Sequence, residues 1–353
     1  MTGELKHKIL DSITQNEDEE YCFKLCDGKC PMLDDNGLCE IHKNLGEDYL
    51  GVVCKQFPRY SEYYGTIKES GIGLACEEAA RIILSENRPF SMETAACDEE
   101  YEPSSEYDSS FALQIFAARE AVFKILAKES LSIHEKLIVI LDMGSKIQQC
   151  INTDEYDNIK SVVNDYLKEG IAHTLDETRN LSDSGQFEDI SLQQGIRQIL
   201  YPYEEMEVLN PEWEVILKDI IDSLFEQMSD EEYNILNEEF GTYMVSRAYE
   251  YRQLLEYLVF RYFAKSIYDY DFLGKCQMLV TNFFVIRQMD IIRWLDNHRE
   301  YSFKDRMDVV HIFSRQVEYS EDNIENLYED FIFDDIFKTD SLIAILWIDS
   351  ENI

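Results

Sequence analysis

The sequence predicts a mainly α protein, with an N-terminal cysteine-rich metal-binding module of short loops and helices packed on a larger helical domain. Six of the nine cysteines fall between Cys22 and Cys76. After Ser109 the apolar residues recur with the 3.6-residue period of helices that bury one face. The 353 residues, 45% of them apolar, are enough to build a substantial core.

Residues 1–21 are expected to be an N-terminal helix or tail. They lack the apolar stretch between a basic start and a small-residue cleavage site that marks a signal peptide. No stretch of the chain reaches the roughly 18 apolar residues of a membrane span, so no stable membrane insertion and a cytoplasmic location are expected. The chain carries 32 Lys plus Arg against 71 Asp plus Glu, a net charge of −39. That field repels phosphate backbones and anionic lipid, which argues against nucleic acid as a partner.

Residues 22–88 form the expected cysteine module, with the spacing Cys22-x3-Cys26-x3-Cys30-x8-Cys39-x14-Cys54-x21-Cys76. In a reducing compartment such density points to metal or iron–sulfur chemistry rather than disulfides. Four sulfurs converge most readily from short loops with tight turns. Asp27-Gly28, Asp35-Asn36-Gly37 and Gly71-Ile72-Gly73 supply candidate turns before Cys30, Cys39 and Cys76. The segment after Cys76 reads as a helix whose N-terminus would favour the thiolate. Cys22 and Cys26 would share one helix face if that stretch were helical. The module is less acidic than the rest of the chain, with 8 Lys plus Arg and 11 Asp plus Glu. Lys55, Arg59, Lys68 and Arg81 are placed to temper an anionic cluster. The C-x3-C-x3-C run is one residue longer than the C-x3-C-x2-C loop of radical S-adenosylmethionine enzymes, which argues against such a loop. His42 reads as a surface residue, and Cys150 and Cys276 as core.

Residues 89–110, acidic and without helical periodicity, read as a linker, and 111–353 as the helical domain. Ile115, Ala118, Val122, Ile125 and Leu126 form one apolar stripe. Ser132 with Glu135 spells a capping box ahead of Leu137, Ile138 and Leu141, and Ser229 with Glu232 marks another helix start. Asn210-Pro211 matches an N-cap followed by a first-turn proline. Leu254, Leu255, Leu258, Val259, Tyr262 and Phe263 form a second stripe, read as core.

The run DGKCPMLDDNGLCEIHKNLGEDYLGVVCKQFPRY, followed by GIGLACEEAARIIL, closely resembles the cysteine motif of the flagellin lysine-N-methylase family. The match falls on Cys30, Cys39, Cys54 and Cys76, flanked by Pro58, Arg59, Ala79, Ala80 and Arg81. It is also similar to a broader group of small zinc- or iron-chelating domains. YRQLLEYLVFRYFAKSIYDYDF resembles that family's aromatic helix, and HIFSRQVEYSEDNIENL its Ser-Arg-x-x-Glu helix. Arg315 and Glu318 of that second motif have the spacing of a helical ion pair. One departure is that the family's usual Ser-Cys-Pro-Glu is here Ala75-Cys76-Glu77-Glu78.

The resemblance implies methyl transfer from S-adenosylmethionine to lysine side chains of flagellin. It also implies an iron–sulfur cluster, expected as 4Fe-4S, on Cys30, Cys39, Cys54 and Cys76. Zinc is the alternative metal, and a noncatalytic zinc- or iron-binding interaction module the alternative function. The strand, Gly-x-Gly loop and acidic residue of an ordinary methyltransferase nucleotide site do not stand out in the sequence. No residue identifies itself as the catalytic base or as the cofactor site.

Overall fold

A computed structural model describes residues 3–15, 21–26, 29–96, 108–183 and 190–351, and it divides into two compact units, Met1–Tyr60 and Ser61–Ile353. The cysteine-rich stretch is therefore shared between units: Cys76 belongs to the second, the other five cysteines to the first.

In the first unit α1 (Gly3–Ser12) runs into β1 (Ile13–Gln15), which pairs antiparallel with β2 (Tyr21–Phe23) so that Thr14 opposes Cys22. Cys22 thus lies in a strand and Cys26 in a single bridge to Lys29, not on one helix face. The ladder takes up the backbone groups that a helix would have used. The expected Asp27-Gly28 turn lies outside the described residues. The turn before Cys39 forms as anticipated. Asp34 Oδ1 accepts from the amides of Asn36 at 2.9 Å and Leu38 at 3.0 Å, while Gly37 takes φ +76°, which its missing Cβ permits. Two short helices follow, α2 (Glu40–Leu45) and α3 (Val52–Gln56). Leu5, Met32 and Ile41 are the buried apolar residues here, and Lys8 pairs with Glu40 at 2.6 Å to join α1 to α2.

The second unit begins within β3 (Arg59–Tyr64), which pairs with β4 (Ile67–Ile72) across a turn at Gly65. Gly71 and Ile72 continue the strand, so the turn expected at 71–73 starts only at Gly73, where the pairing ends. Cys76 then immediately precedes α4 (Glu77–Leu84), as the sequence suggested. Residues 89–96 form neither helix nor strand, and 97–107 of the expected linker lie outside the described residues. Asp108 caps α5 (Ser109–Leu126), whose helix begins inside the expected linker because the Asp108 carboxylate accepts from its first free amides.

From there the chain is helical: α6 (Ile133–Asn152), α7 (Ile159–Asp165), α8 (Ile171–Asp183), α9 (Leu192–Glu204), α10 (Pro211–Ile220), α11 (Asp230–Met244), α12 (Ala248–Tyr262), α13 (Ser266–Asp269), α14 (Phe272–Asp296), α15 (Phe303–Val317), α16 (Glu321–Phe333) and α17 (Thr339–Glu351). Both expected capping boxes form, at Ser132 and Ser229, and Asn210 accepts from the Glu212 amide beside Pro211. Further boxes cap α9 at Ser191 and α15 at Ser302. The two predicted apolar stripes are buried.

The core forms around α14, which packs on α6, α9, α10, α12, α15, α16 and α17. A helix surrounded on all sides must either be apolar throughout or satisfy its polar groups internally, and α14 pairs its buried charged residues, while Asn282 Nδ2 and Trp294 Nε1 have no partner among the described residues. Lys275 pairs with Asp269 at 2.6 Å and lies over the Tyr328 ring. Arg287 donates to Asn237, and Asp290 meets Arg306 at 2.6 Å. No described helix is long and apolar enough to cross a membrane.

Candidate functional site

Cys39 immediately precedes α2, Cys54 lies within α3, and Cys30 begins the loop that Leu33 closes by pairing with Cys39. Cys30 and Cys39 are half-buried and Cys54 is exposed. The Cys54 thiol is pushed up by partial burial and then by the neighbouring Cys30 and Cys39 sulfurs. These three thiols of the first unit therefore feel one another's charge. Soft donors that interact so suit iron or zinc. Among the described residues, however, no group of three or more Cys, His, Asp or Glu side chains is arranged to hold a metal ion. Of the cations expected to temper a cluster, Lys55 donates to the Asp48 carbonyl, and Arg81 forks onto Glu78. His42 is exposed, and Cys150 and Cys276 are buried, each as the sequence suggested.

The surroundings of Cys76 within the second unit are more elaborate. The half-buried Cys76 follows the buried residues Gly73, Leu74 and Ala75. The Leu74 amide approaches the Tyr257 hydroxyl at 3.4 Å. That hydroxyl donates to Glu318 Oε2 at 2.8 Å and accepts from Arg261 Nη1 at 2.7 Å. Tyr262 donates to the same carboxylate oxygen at 3.1 Å, and Arg261 Nη1 stands 3.0 Å from it. Arg261 also lies over the rings of Tyr262 and Tyr319. Burial works against the Arg261 charge, but Glu318 and the tyrosines outweigh it and hold the guanidinium firmly protonated. The Tyr319 hydroxyl is pushed up first by burial, with Arg261 opposing, and charge at Cys76 adds to the rise.

The i, i+3 spacing of Arg315 and Glu318 does not produce an ion pair. Glu318 turns inward to Arg261, while Arg315 stays exposed at a cleft. That cleft lies at the first turn of α4 and is bounded by α10, α14 and α15. It brings together Glu77, Glu212, Asp308, His311, Arg293 and Arg315 with the aliphatic Val215, Ile216 and Ile312. Glu77, His311 and Arg315 lie in segments already singled out in the sequence, but the cleft itself was not legible because its lining comes from four helices.

The aromatic-helix motif supplies Tyr257, Arg261 and Tyr262, and the Ser-Arg-x-x-Glu motif supplies Glu318. Two segments that resemble one family in sequence therefore meet in space behind Cys76. The model of the FliB lysine N-methylase C-terminal domain matches residues 119–345. Over 59 residues the chain is 37% identical to a flagellar biosynthetic protein FliU of Salmonella muenchen, covering 17% of this chain and 35% of that protein. At the same identity and length it matches lysine-N-methylases of Salmonella typhimurium and Salmonella choleraesuis, covering 15% of each. The matched stretch is thus well under half the length of these relatives. No solved structure matches the chain. With the matched domain spanning most of the helical unit, the chain belongs to the FliB lysine N-methylase family.

Proposed function

We propose that this chain is a protein lysine N-methyltransferase that moves a methyl group from S-adenosylmethionine to lysine side chains, with flagellin as its substrate in the cytoplasm. The observation that carries the reading is the meeting of the two family-like segments at Arg261 and Glu318, which together with Tyr257 hold the backbone just before Cys76. Membership of the family and the names of the relatives support it.

Cys30, Cys39, Cys54 and Cys76 are the proposed ligands of an iron–sulfur cluster, 4Fe-4S by expectation, with zinc as the alternative. When bound, such a cluster supplies an iron that can take up ligands or one electron, whereas zinc supplies a redox-silent staple. The contribution of the chain itself is to fix the Cys76 segment. Tyr257, Tyr262, Arg261 and Glu318 form a buried hydrogen-bonded set whose geometry leaves that backbone little freedom.

The test is anaerobic purification followed by metal analysis and an absorption spectrum with and without S-adenosylmethionine, then mass spectrometry of flagellin incubated with both. Broad brown absorption that changes with the cofactor, together with lysines heavier by one or more methyl groups, is the expected result. A colourless zinc protein that ignores the cofactor would overturn it in favour of a noncatalytic interaction module.

A further inference from the structure

The cleft at the start of α4 combines features that rarely occur together on a surface serving only solubility. Its volume is about 560 Å³, and Glu77, the residue immediately after Cys76, forms part of its wall. Charge of both signs faces it. Arg293 and Arg315 bring guanidinium groups, and Glu77, Glu212 and Asp308 bring carboxylates. Val215, Ile216 and Ile312 add aliphatic surface to the lining.

His311 also lines the cleft. Its Nδ1 is sealed from solvent and has no hydrogen-bond partner among the described residues, while the ring is turned toward the backbone of Ala75. Burial, then the charge of Arg315, pushes this imidazole below its ordinary value, with Glu77 and Glu212 opposing. A neutral ring that donates toward the Ala75 carbonyl leaves Nδ1 as a bare acceptor.

We propose that this cleft binds S-adenosylmethionine, with its amino-acid end held as a zwitterion; this rests on the methyltransferase reading above. The cofactor carries a carboxylate, an ammonium, a sulfonium, a ribose diol and a flat apolar base. Arg293 and Arg315 match the carboxylate, for which a guanidinium fork is the natural partner. The carboxylates match the ammonium and sulfonium charges and accept from the ribose hydroxyls. The aliphatic side chains receive the base. A lysine side chain alone would have no use for two arginines, and a nucleotide polyphosphate would be repelled by three carboxylates. The position beside Cys76 places the methyl donor next to a cysteine proposed as a cluster ligand.

Isothermal titration of the full metal-loaded chain with S-adenosylhomocysteine, which binds without reacting, tests the assignment. Arg315→Gln and Arg293→Gln should each weaken binding by about tenfold or more, the loss expected for one charge-assisted pair. Arg299→Gln, whose guanidinium pairs with Glu239 away from the cleft, should bind as the parent does. Thermal unfolding of each variant separates lost binding from lost fold, and Asp308→Asn offers a second variant on the opposite charge. Parent binding that persists unchanged in the Arg293, Arg315 and Asp308 variants overturns this site while leaving the methyltransferase reading intact. Adenosine binding as tightly as S-adenosylhomocysteine would also overturn it, because the zwitterion would then contribute nothing. Absence of binding by the parent chain would remove the methyltransferase reading itself.

Discussion

Arg261 Nη1 stands 3.0 Å from Glu318 Oε2, with the carboxylate side chain fully out of solvent and the guanidinium nearly so. The two residues are separated by three helical segments in sequence, yet they share Tyr257 and Tyr262 as further partners. Desolvating two charges is unfavourable unless their remaining hydrogen-bonding capacity is used. Here one carboxylate oxygen is saturated, and Oε1 has no partner among the described residues. A buried ion pair of this kind adds little net stability but strongly penalises any arrangement that separates its members. It therefore fixes α12, the end of α15 and the chain before Cys76 in one register.

Removing one member leaves the other charge uncompensated. Glu318→Ala is expected to destabilise the second unit by about 3–5 kcal/mol in urea unfolding. Replacing both residues together, as Arg261→Met with Glu318→Leu, should recover most of that loss. Equal losses in the single and double variants would show that the pair does not act as a unit.

A second contact depends on the absence of a side chain. At Gly144 an added Cβ would come within 2.5 Å of Cys276 Sγ and 3.2 Å of its Cβ, where α6 crosses α14. Gly144→Ala should therefore destabilise by about 1–3 kcal/mol through overpacking. Adding Cys276→Ala removes the nearer clash, so the double variant should be less destabilised than the sum of the two changes. Simple additivity in thermal unfolding would count against the contact.

Features of the chain were legible in its sequence where the cause was local. Ser132 with Glu135, Ser229 with Glu232 and Asn210-Pro211 are helix starts because side chains a few residues away answer their free amides. Cys76 could be assigned to the start of a helix because the segment after it reads as helical, and its own side chain makes no capping hydrogen bond. The buried set of Arg306 with Glu250 and Asp290 was not legible. Each of these residues alone reads as part of a solvated face, and only the crossing of α12, α14 and α15 turns them inward. Glu318 illustrates the same limit, since its spacing nominates Arg315 and tertiary packing selects Arg261. The convergence of four helices at the cleft was hidden for that reason as well, whereas the cysteines stood out because their density needed no tertiary knowledge.

Acid should loosen the junction of α6 with α17. Burial pushes the Asp349 carboxyl up, but Arg287 and His134 together with a hydrogen bond from Asn237 outweigh it and leave it below its ordinary value of 3.8. A carboxylate whose value is depressed on folding contributes stability that is complete above 3.8 and lost as pH falls through the lower folded value. Asp349→Asn should therefore be destabilised by about 3–5 kcal/mol at neutral pH, because Arg287 loses its buried counter-charge. It should also unfold with a shallower pH dependence below 3.8 than the parent. Parallel curves for parent and variant in that range would rule out Asp349 as a source of the acid sensitivity.

The proposed cluster ligands can be separated from the remaining cysteines by substitution. Cys30→Ser, Cys39→Ser, Cys54→Ser and Cys76→Ser should each lower bound iron or zinc, because serine offers a poorer, harder donor at neutral pH. Cys150→Ser should leave metal content unchanged, since that thiol lies buried in α6, where burial pushes it up and away from the thiolate a metal needs. The Cys54 thiol, raised by partial burial and by its two cysteine neighbours, should titrate lower once Cys30 or Cys39 is replaced. Metal content is measured on anaerobically purified chain. If it stays at the parent level in all four serine variants, the ligand set is wrong, and Cys22 and Cys26 become the next thiols to replace.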